Sequence, residues 1–282
     1  FDPIIENYAY ANPKLCPVNV HWHLGAEHRS EGQYDENGKG PHPYDKHGSD
    51  RDEFEDDNVD PYPDGNLGAP IMRRSLAGGA KIRQGVLCHH YDAEDPMYTT
   101  PYDWQYCKDM EVGQTYEVHW PHSAAGACDT VFQYQYPFYD GVFCRDGIIS
   151  FGAKPAFNAH RTVGVQGQVF TIVNSEDPMY QNDHLMDHAW MDESHWTDVA
   201  KYVGSTTGTS RDNVVCSMYS PITWQVDRKC HKVSAASFDL MCKEMLAVKA
   251  MGGDDMYPDT YPHGAREVVN DTWTESNVYR RD

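Results

Sequence analysis

Pro17-Val18-Asn19-Val20-His21-Trp22-His23-Leu24-Gly25-Ala26-Glu27-His28 is the stretch on which the reading turns. Val18–His23 alternates as a strand does, and on a strand residues i and i+2 share a face. His21 and His23 therefore present two imidazoles side by side. Asn19 falls on the same face, where its side-chain oxygen is placed to orient the ring of His21. Metal-bound imidazoles usually need such an acceptor behind them.

Working outward, the clearer elements are strands. Gln114–His119 alternates, while Val163–Val173 and Ile222–Val226 are rich in Val, Ile, Phe and Thr. Two helices are expected. Asp183–Tyr202 sets Leu185, Ala189 and Trp196 along one face. Ser234–Met251 is better marked: Ser234 or Ser237 caps it, Phe238, Met241, Met245 and Val248 recur at helical spacing, and Gly252-Gly253 ends it. No internal repeat is visible. The expected fold is mainly β (α+β), a single domain over residues 1–282. Its core is a central twisted, mostly antiparallel sheet with few helices and long loops.

The 282 residues carry a net charge of −20, with 40% apolar and 12% aromatic residues. That apolar share builds a sizeable core and excludes wholesale disorder. So negative a surface repels phosphate backbones and anionic headgroups, which argues against a nucleic-acid partner. The longest apolar runs, such as Val169–Val173, fall far short of the roughly 20 residues of a membrane helix. Much of the charge is local: residues 30–65 hold 12 acidic and three basic side chains among many Gly and Pro, and read as a solvated loop inserted into the fold. Asp-rich loops also bind calcium, but no EF-hand spacing is present.

Eight cysteines, none in a CxxC pair, fit disulfides better than a thiolate zinc site. Asn270-Asp271-Thr272 is a glycosylation sequon. Together they point to an oxidising compartment: secreted, periplasmic or cell-surface, or an organelle lumen. Beginning at Phe1 without an apolar leader, the chain reads as a processed form.

A third imidazole is offered by Tyr116-Glu117-Val118-His119. Glu117 lies two residues before His119 on the same face, where it accepts the other N–H of that ring and raises its basicity. Three neutral histidines with one open position form the catalytic zinc pattern. His21, His23 and His119 are therefore the candidate ligands.

These residues resemble a family. His21-Trp22-His23 through Glu27-His28 is similar to the H-x-H…G-S-E-H segment of α-class carbonic anhydrases. Glu117-Val118-His119-Trp120-Pro121-His122 resembles their E-L-H-L-V-H strand, and Val163-Gly164-Val165-Gln166-Gly167 their V-L-G strand. Gly204-Ser205-Thr206-Thr207 and Ile222-Thr223-Trp224 resemble G-S-L-T-T and V-T-W, all in the same order. The run Pro17–His28 looks closest to the δ-class enzymes of marine algae. The resemblance spans residues 16–28 and 114–226. It implies an α-carbonic-anhydrase-like sheet and reversible hydration of carbon dioxide to bicarbonate by a metal-bound hydroxide. It implies Zn2+ as cofactor, with Co2+ or Cd2+ as substitutes on the same nitrogens. Glu27 is then the carboxylate that orients a threonine, Thr206 or Thr207. Val165 and Trp224 form the apolar wall for carbon dioxide.

Three departures stand out. About 85 residues separate His28 from Gln114, where the α family has a short turn. The threonine loop lacks the α-family prolines, and Pro121 replaces a pocket valine. With only 20 residues before His21, no upstream histidine is offered as a proton shuttle. Two other readings remain. His21-x-His23-x-x-x-Glu27 also matches the first cupin motif, in which the glutamate binds the metal, although the second cupin motif is missing. A non-catalytic extracellular metal-binding protein is the other, with His184-x-x-x-His188 beside Asp183, Asp187 and His195, or His89-His90, as surface chelators. Leu185 stands where HExxH would need Glu, which excludes a metalloprotease. Disulfide pairing and oligomeric state are not legible at this level.

Overall fold

The computed structural model describes residues 16–28, 33–35, 40–41, 84–123, 163–186, 198–204, 222–252 and 260–265. The backbone of the sheet is β5 (Thr115–Ser123), which extends the expected strand by four residues at its C-terminal end. On one side it pairs antiparallel with two short strands, β1 (Cys16–Pro17) and β2 (His21–Leu24). Of the expected strand Val18–His23, only His21–His23 is strand, and Pro121 supplies the reason for the gap at Val18–Val20. Its carbonyl accepts from the Val18 N–H at 2.8 Å, but proline has no N–H to give back, so the ladder breaks opposite it.

On its other side β5 pairs antiparallel with β6 (Val163–Val173), whose bounds match the expected strand. Two short strands, β3 (Tyr34–Asp35) and β4 (Leu87–Cys88), pair with each other over two residues as a separate sheet, while the main sheet continues from β6 through β8 and β7. β8 (Ile222–Ser234) lies parallel to β6 and runs well past the expected end at Val226, while β7 (Val199–Gly204) pairs antiparallel at its far edge. Among the described residues the result is a six-stranded, mostly antiparallel sheet, as the mainly β reading expected.

β7 corrects the helix expected over Asp183–Tyr202. Residues 183–186 form a turn, residues 187–197 lie outside the described part, and Val199–Tyr202 is extended. Its register places Ala200 opposite Val226 and Tyr202 opposite Trp224, so the open edge of β8 decides its conformation. The long C-terminal helix is present as α2 (Ala235–Gly252), following a short α1 (Pro96–Thr99). Ser234 Oγ accepts from the Ser237 N–H at 3.0 Å, the capping expected of it.

The two faces of the sheet have different roles. Trp22, Val118, Trp120, Phe170 and Ile172 form one core with Phe238, Met241 and Met245 of α2. The Cys107–Cys242 disulfide and Asp239, which accepts three backbone N–H groups from Gln105, Tyr106 and Cys107, fasten the helix to residues 105–107. The opposite face carries the histidines. Beside them a smaller cluster of Ala26, Val86, Cys88, Val169 and Cys230 contains the Cys88–Cys230 disulfide.

The chain leaves the sheet after Ala26 and returns at Gly85, and both ends are pinned together. Ala26 and Val86 exchange backbone hydrogen bonds at 2.8 and 2.9 Å. Gly25 has φ +76°, and a Cβ there would lie 2.6 Å from the Gly85 carbonyl carbon, so only glycine fits. Most of the acidic 30–65 segment lies outside the described residues. Its Tyr34–Asp35 strand is anchored by pairing with Leu87–Cys88. Among the described residues no helix is long and apolar enough to cross a membrane.

Candidate metal centre

The β2–β5 register sets His21 directly opposite His119, and His23 opposite Glu117. The four side chains share the face away from α2. The ring centroids lie 5.2 Å apart for His21–His23, 5.3 Å for His21–His119 and 4.6 Å for His23–His119. One nitrogen from each ring lies within 4.8 Å of the other two. The pair expected from strand periodicity and the third imidazole from β5 are thus brought together.

Each ring is oriented by a different oxygen. His21 Nδ1 lies 2.7 Å from Asn19 Oδ1, His23 Nδ1 lies 3.0 Å from the Gly264 carbonyl, and His119 Nε2 lies 2.7 Å from Glu117 Oε1. A neutral imidazole that donates from one nitrogen keeps a lone pair on the other. That leaves Nε2 of His21, Nε2 of His23 and Nδ1 of His119 as donors toward a cation. Burial pushes His21 well below the usual histidine range, and its histidine neighbours push it further. His23 falls to about 4, with burial outweighing the opposing charge of Glu27. Both rings are therefore neutral at physiological pH, which is the state a metal requires.

Glu117 is the hub behind the site. Its Oε1 accepts from His119 Nε2 and from His28 Nδ1 at 2.6 Å, and its Oε2 accepts from the N–H groups of Glu27 at 2.7 Å and His28 at 3.0 Å. Burial alone would raise the pKa of this fully enclosed carboxylate, but the imidazoles of His28 and His119 outweigh it and the pKa falls well below its ordinary value. Tyr202 O–H in turn donates to His28 Nε2. Burial and the nearby carboxylates raise the Tyr202 pKa, so the phenol keeps its proton and stays a donor. His28, Glu117 and His119 also lie close enough to suggest a second metal group. Their hydrogen bonds argue otherwise: each Glu117 oxygen already accepts two N–H groups, and both His28 nitrogens are engaged.

The sequence model of delta carbonic anhydrases matches residues 12–237 of the chain. The protein belongs to the delta carbonic anhydrase family. A comparison with curated proteins gives no match.

In this delta carbonic anhydrase family member, Val165 and Trp224 are cross-strand neighbours on β6 and β8. The Trp224 ring lies 5.1 Å from that of His119, 5.4 Å from that of His28, and stacks on Tyr202. Thr206 and Thr207 lie outside the described residues, as do His188 and His195. Glu27 Oε1 stands 3.6 Å from His23 Nδ1, the nitrogen turned toward Gly264. Among the described residues Glu27 joins no group of convergent metal donors, an arrangement that does not fit the cupin pattern. His89 and His90 pack as a ring pair and form no such group either.

Sequence reasoning did not reach four participants. Tyr202 was hidden by the helix expected there, and His28 was read only as part of a motif. Gly264 and His263 come from a segment more than two hundred residues from β2, and no spacing rule connects them.

Proposed function

We propose that the protein is a zinc-dependent carbonic anhydrase that interconverts carbon dioxide and bicarbonate. The observation that carries this is the convergence of three buried imidazoles, each held from behind by its own acceptor, in a chain of this family. Nitrogen donors of this kind suit zinc, and Co2+ or Cd2+ would be accepted by the same set. When bound, zinc lowers the pKa of its water from that of bulk water to roughly 7, an effect for which carbonic anhydrase is the standard example.

The chain's own residues supply positioning and proton control. His21, His23 and His119 hold the ion, while Asn19, the Gly264 carbonyl and Glu117 fix the tautomers that make this so. Thr206 or Thr207 gives its only proton to Glu27. Having none left to donate, that hydroxyl accepts from the reacting water and turns a water lone pair toward the substrate carbon. Val165 and Trp224 form an apolar wall for carbon dioxide, a molecule with little to hydrogen-bond. The two disulfides among the described residues favour an oxidising compartment, and we place the protein outside the cell or in a lumen. Residues 1–282 act as a single catalytic domain with the acidic 30–65 segment inserted.

The test is metal content together with stopped-flow carbon dioxide hydration, before and after chelation. Activity should vanish with the metal and return with added zinc. Hydration that survives complete metal removal overturns the proposal. Tight zinc binding without hydration would favour the non-catalytic metal-binding reading instead.

A further inference from the structure

We propose that His263 is a positioning residue of the metal centre: the face of its imidazole holds the ring of His21 in place. This rests on the metal-centre reading above and goes beyond it, because His263 lies past residue 237, where the family match ends.

The argument begins with the backbone. Residues of β2 alternate in hydrogen bonding, so His21 and His23 bond toward β5 while Trp22 and Leu24 bond away from it. Those outward groups would leave an open sheet edge. The 260–265 segment fills it. His263 N–H donates to the Trp22 carbonyl and Leu24 N–H donates to the His263 carbonyl, both at 2.8 Å. The pairing is parallel and sets His263 opposite His23. Paired residues share a face, so the side chain of His263 emerges among the metal-centre histidines.

There it lies flat against His21, with centroids 5.1 Å apart and an interplanar angle of 21°. Among the described residues, the rings of His23 and His119 also lie against His21, but they meet it nearly edge-on and belong to the ligand set themselves. His21 is also the most exposed of the three ligands, at 8% against 1% for each of the others. The hydrogen bond to Asn19 fixes its tautomer, and the stacked His263 ring covers one face of the imidazole. A planar neighbour on that face resists tilting of the ring, and donor nitrogens must be held to about half an ångström for a metal site to be preorganised. Tyr261 backs the His263 ring at 6.4 Å.

The test uses the full chain with His263→Ala and His263→Phe. Zinc affinity is measured by chelator competition and the cobalt-loaded protein by its visible spectrum. Loss of a group that orients a ligand typically weakens metal binding by about 10- to 100-fold. The Ala variant should fall by about tenfold and show an altered cobalt spectrum. The Phe variant keeps a flat ring without nitrogens and should recover most of the affinity and the native spectrum. An Ala variant that binds like the parent overturns the proposal, as does a Phe variant no better than Ala. Should the Ala variant fail to fold, the Phe variant decides alone: near-parental affinity supports positioning by the ring face, and weakened affinity overturns it. A parent protein that binds no zinc or cobalt overturns the metal-centre reading itself, and this inference with it.

Discussion

His119 and Gly167 face each other across β5 and β6, and a Cβ on Gly167 would lie 3.2 Å from His119 Cδ2. It would also lie 3.3 Å from both methyls of Val226. Gly167 is therefore the space in which the third imidazole sits. Gly167→Ala should weaken zinc binding modestly, because the neighbours need to give by only a few tenths of an ångström. Gly167→Val should cost about 1–3 kcal/mol through overpacking and displace the ring. Zinc affinity and urea unfolding of the two variants check this. A Val variant with parental affinity would show that His119 has room to spare.

Glu117 accepts four N–H donors with no exposed atom, so its replacement is expected to be costly. Glu117→Gln offers one oxygen where two were used and turns an NH2 toward N–H groups. At least one buried donor then loses its acceptor, which costs about 1–3 kcal/mol, with more for the lost charge. The His119 tautomer is also released, and zinc affinity should drop by about 10- to 100-fold. Isothermal titration with zinc, beside a denaturation curve of the metal-free protein, separates the two effects. Unchanged affinity would remove Glu117 from its role as the orienter of His119.

The lowered pKa of His23 makes the metal-free protein acid-sensitive in a defined window. An unfolded histidine takes up its proton near 6.5, whereas folded His23 waits until about 4. Between those values the unfolded chain binds more protons, so stability is fully present above pH 6.5 and is lost as pH falls toward 4. His23 alone contributes a loss on the order of 3 kcal/mol across that window. His21, lowered in the same direction, adds to it. Urea midpoints of the metal-free protein at pH 7 and pH 5 measure this. Identical midpoints would mean that these rings are not held neutral.

The Cys88–Cys230 bridge joins β4 to the bulge of β8, across 142 residues of sequence. It fastens the returning end of the long excursion beside the strand that carries His23. Replacing both cysteines with alanine should cost about 2–4 kcal/mol, the range usual for a native disulfide. Loss of zinc affinity should accompany this more strongly than in the Cys107/Cys242 double variant, whose bridge lies on the opposite face. Equal effects on zinc would show that the two bridges serve general stability alone.

What could be read in advance was set by local pattern. The bounds of β6 were legible because its run of Val, Phe, Thr and Ile is buried on both faces. α2 was legible because Phe238, Met241 and Met245 repeat at helical spacing between a serine cap and a glycine pair. The histidine pair of β2 followed from period two. The remainder depends on partners distant in sequence. The break at Val18–Val20 is dictated by Pro121 on a neighbouring strand. β8 continues past Val226 through the polar Asp227-Arg228-Lys229, because a bulge sets Gln168 opposite Asp227 and Val169 opposite Cys230. Tyr202 is extended because β8 offers it an edge. The Gly264 carbonyl reaches His23 only once the chain has folded back along β2.

The same long-range geometry yields a graded prediction for Tyr202. Its O–H donates to His28, whose other nitrogen donates to Glu117, which accepts from His119. Tyr202→Phe removes the outermost link and leaves His28 Nε2 buried without its donor, at a cost of about 1–3 kcal/mol. His28 Nδ1 still has Glu117 as its partner, so the carboxylate keeps all four donors and the His119 tautomer survives. Stability should therefore fall clearly while zinc affinity falls only a few-fold, less than in Glu117→Gln. The two variants compared in one zinc titration give the order of the links. A Tyr202→Phe loss as large as that of Glu117→Gln would place Tyr202 beside the ligand itself and reverse this order.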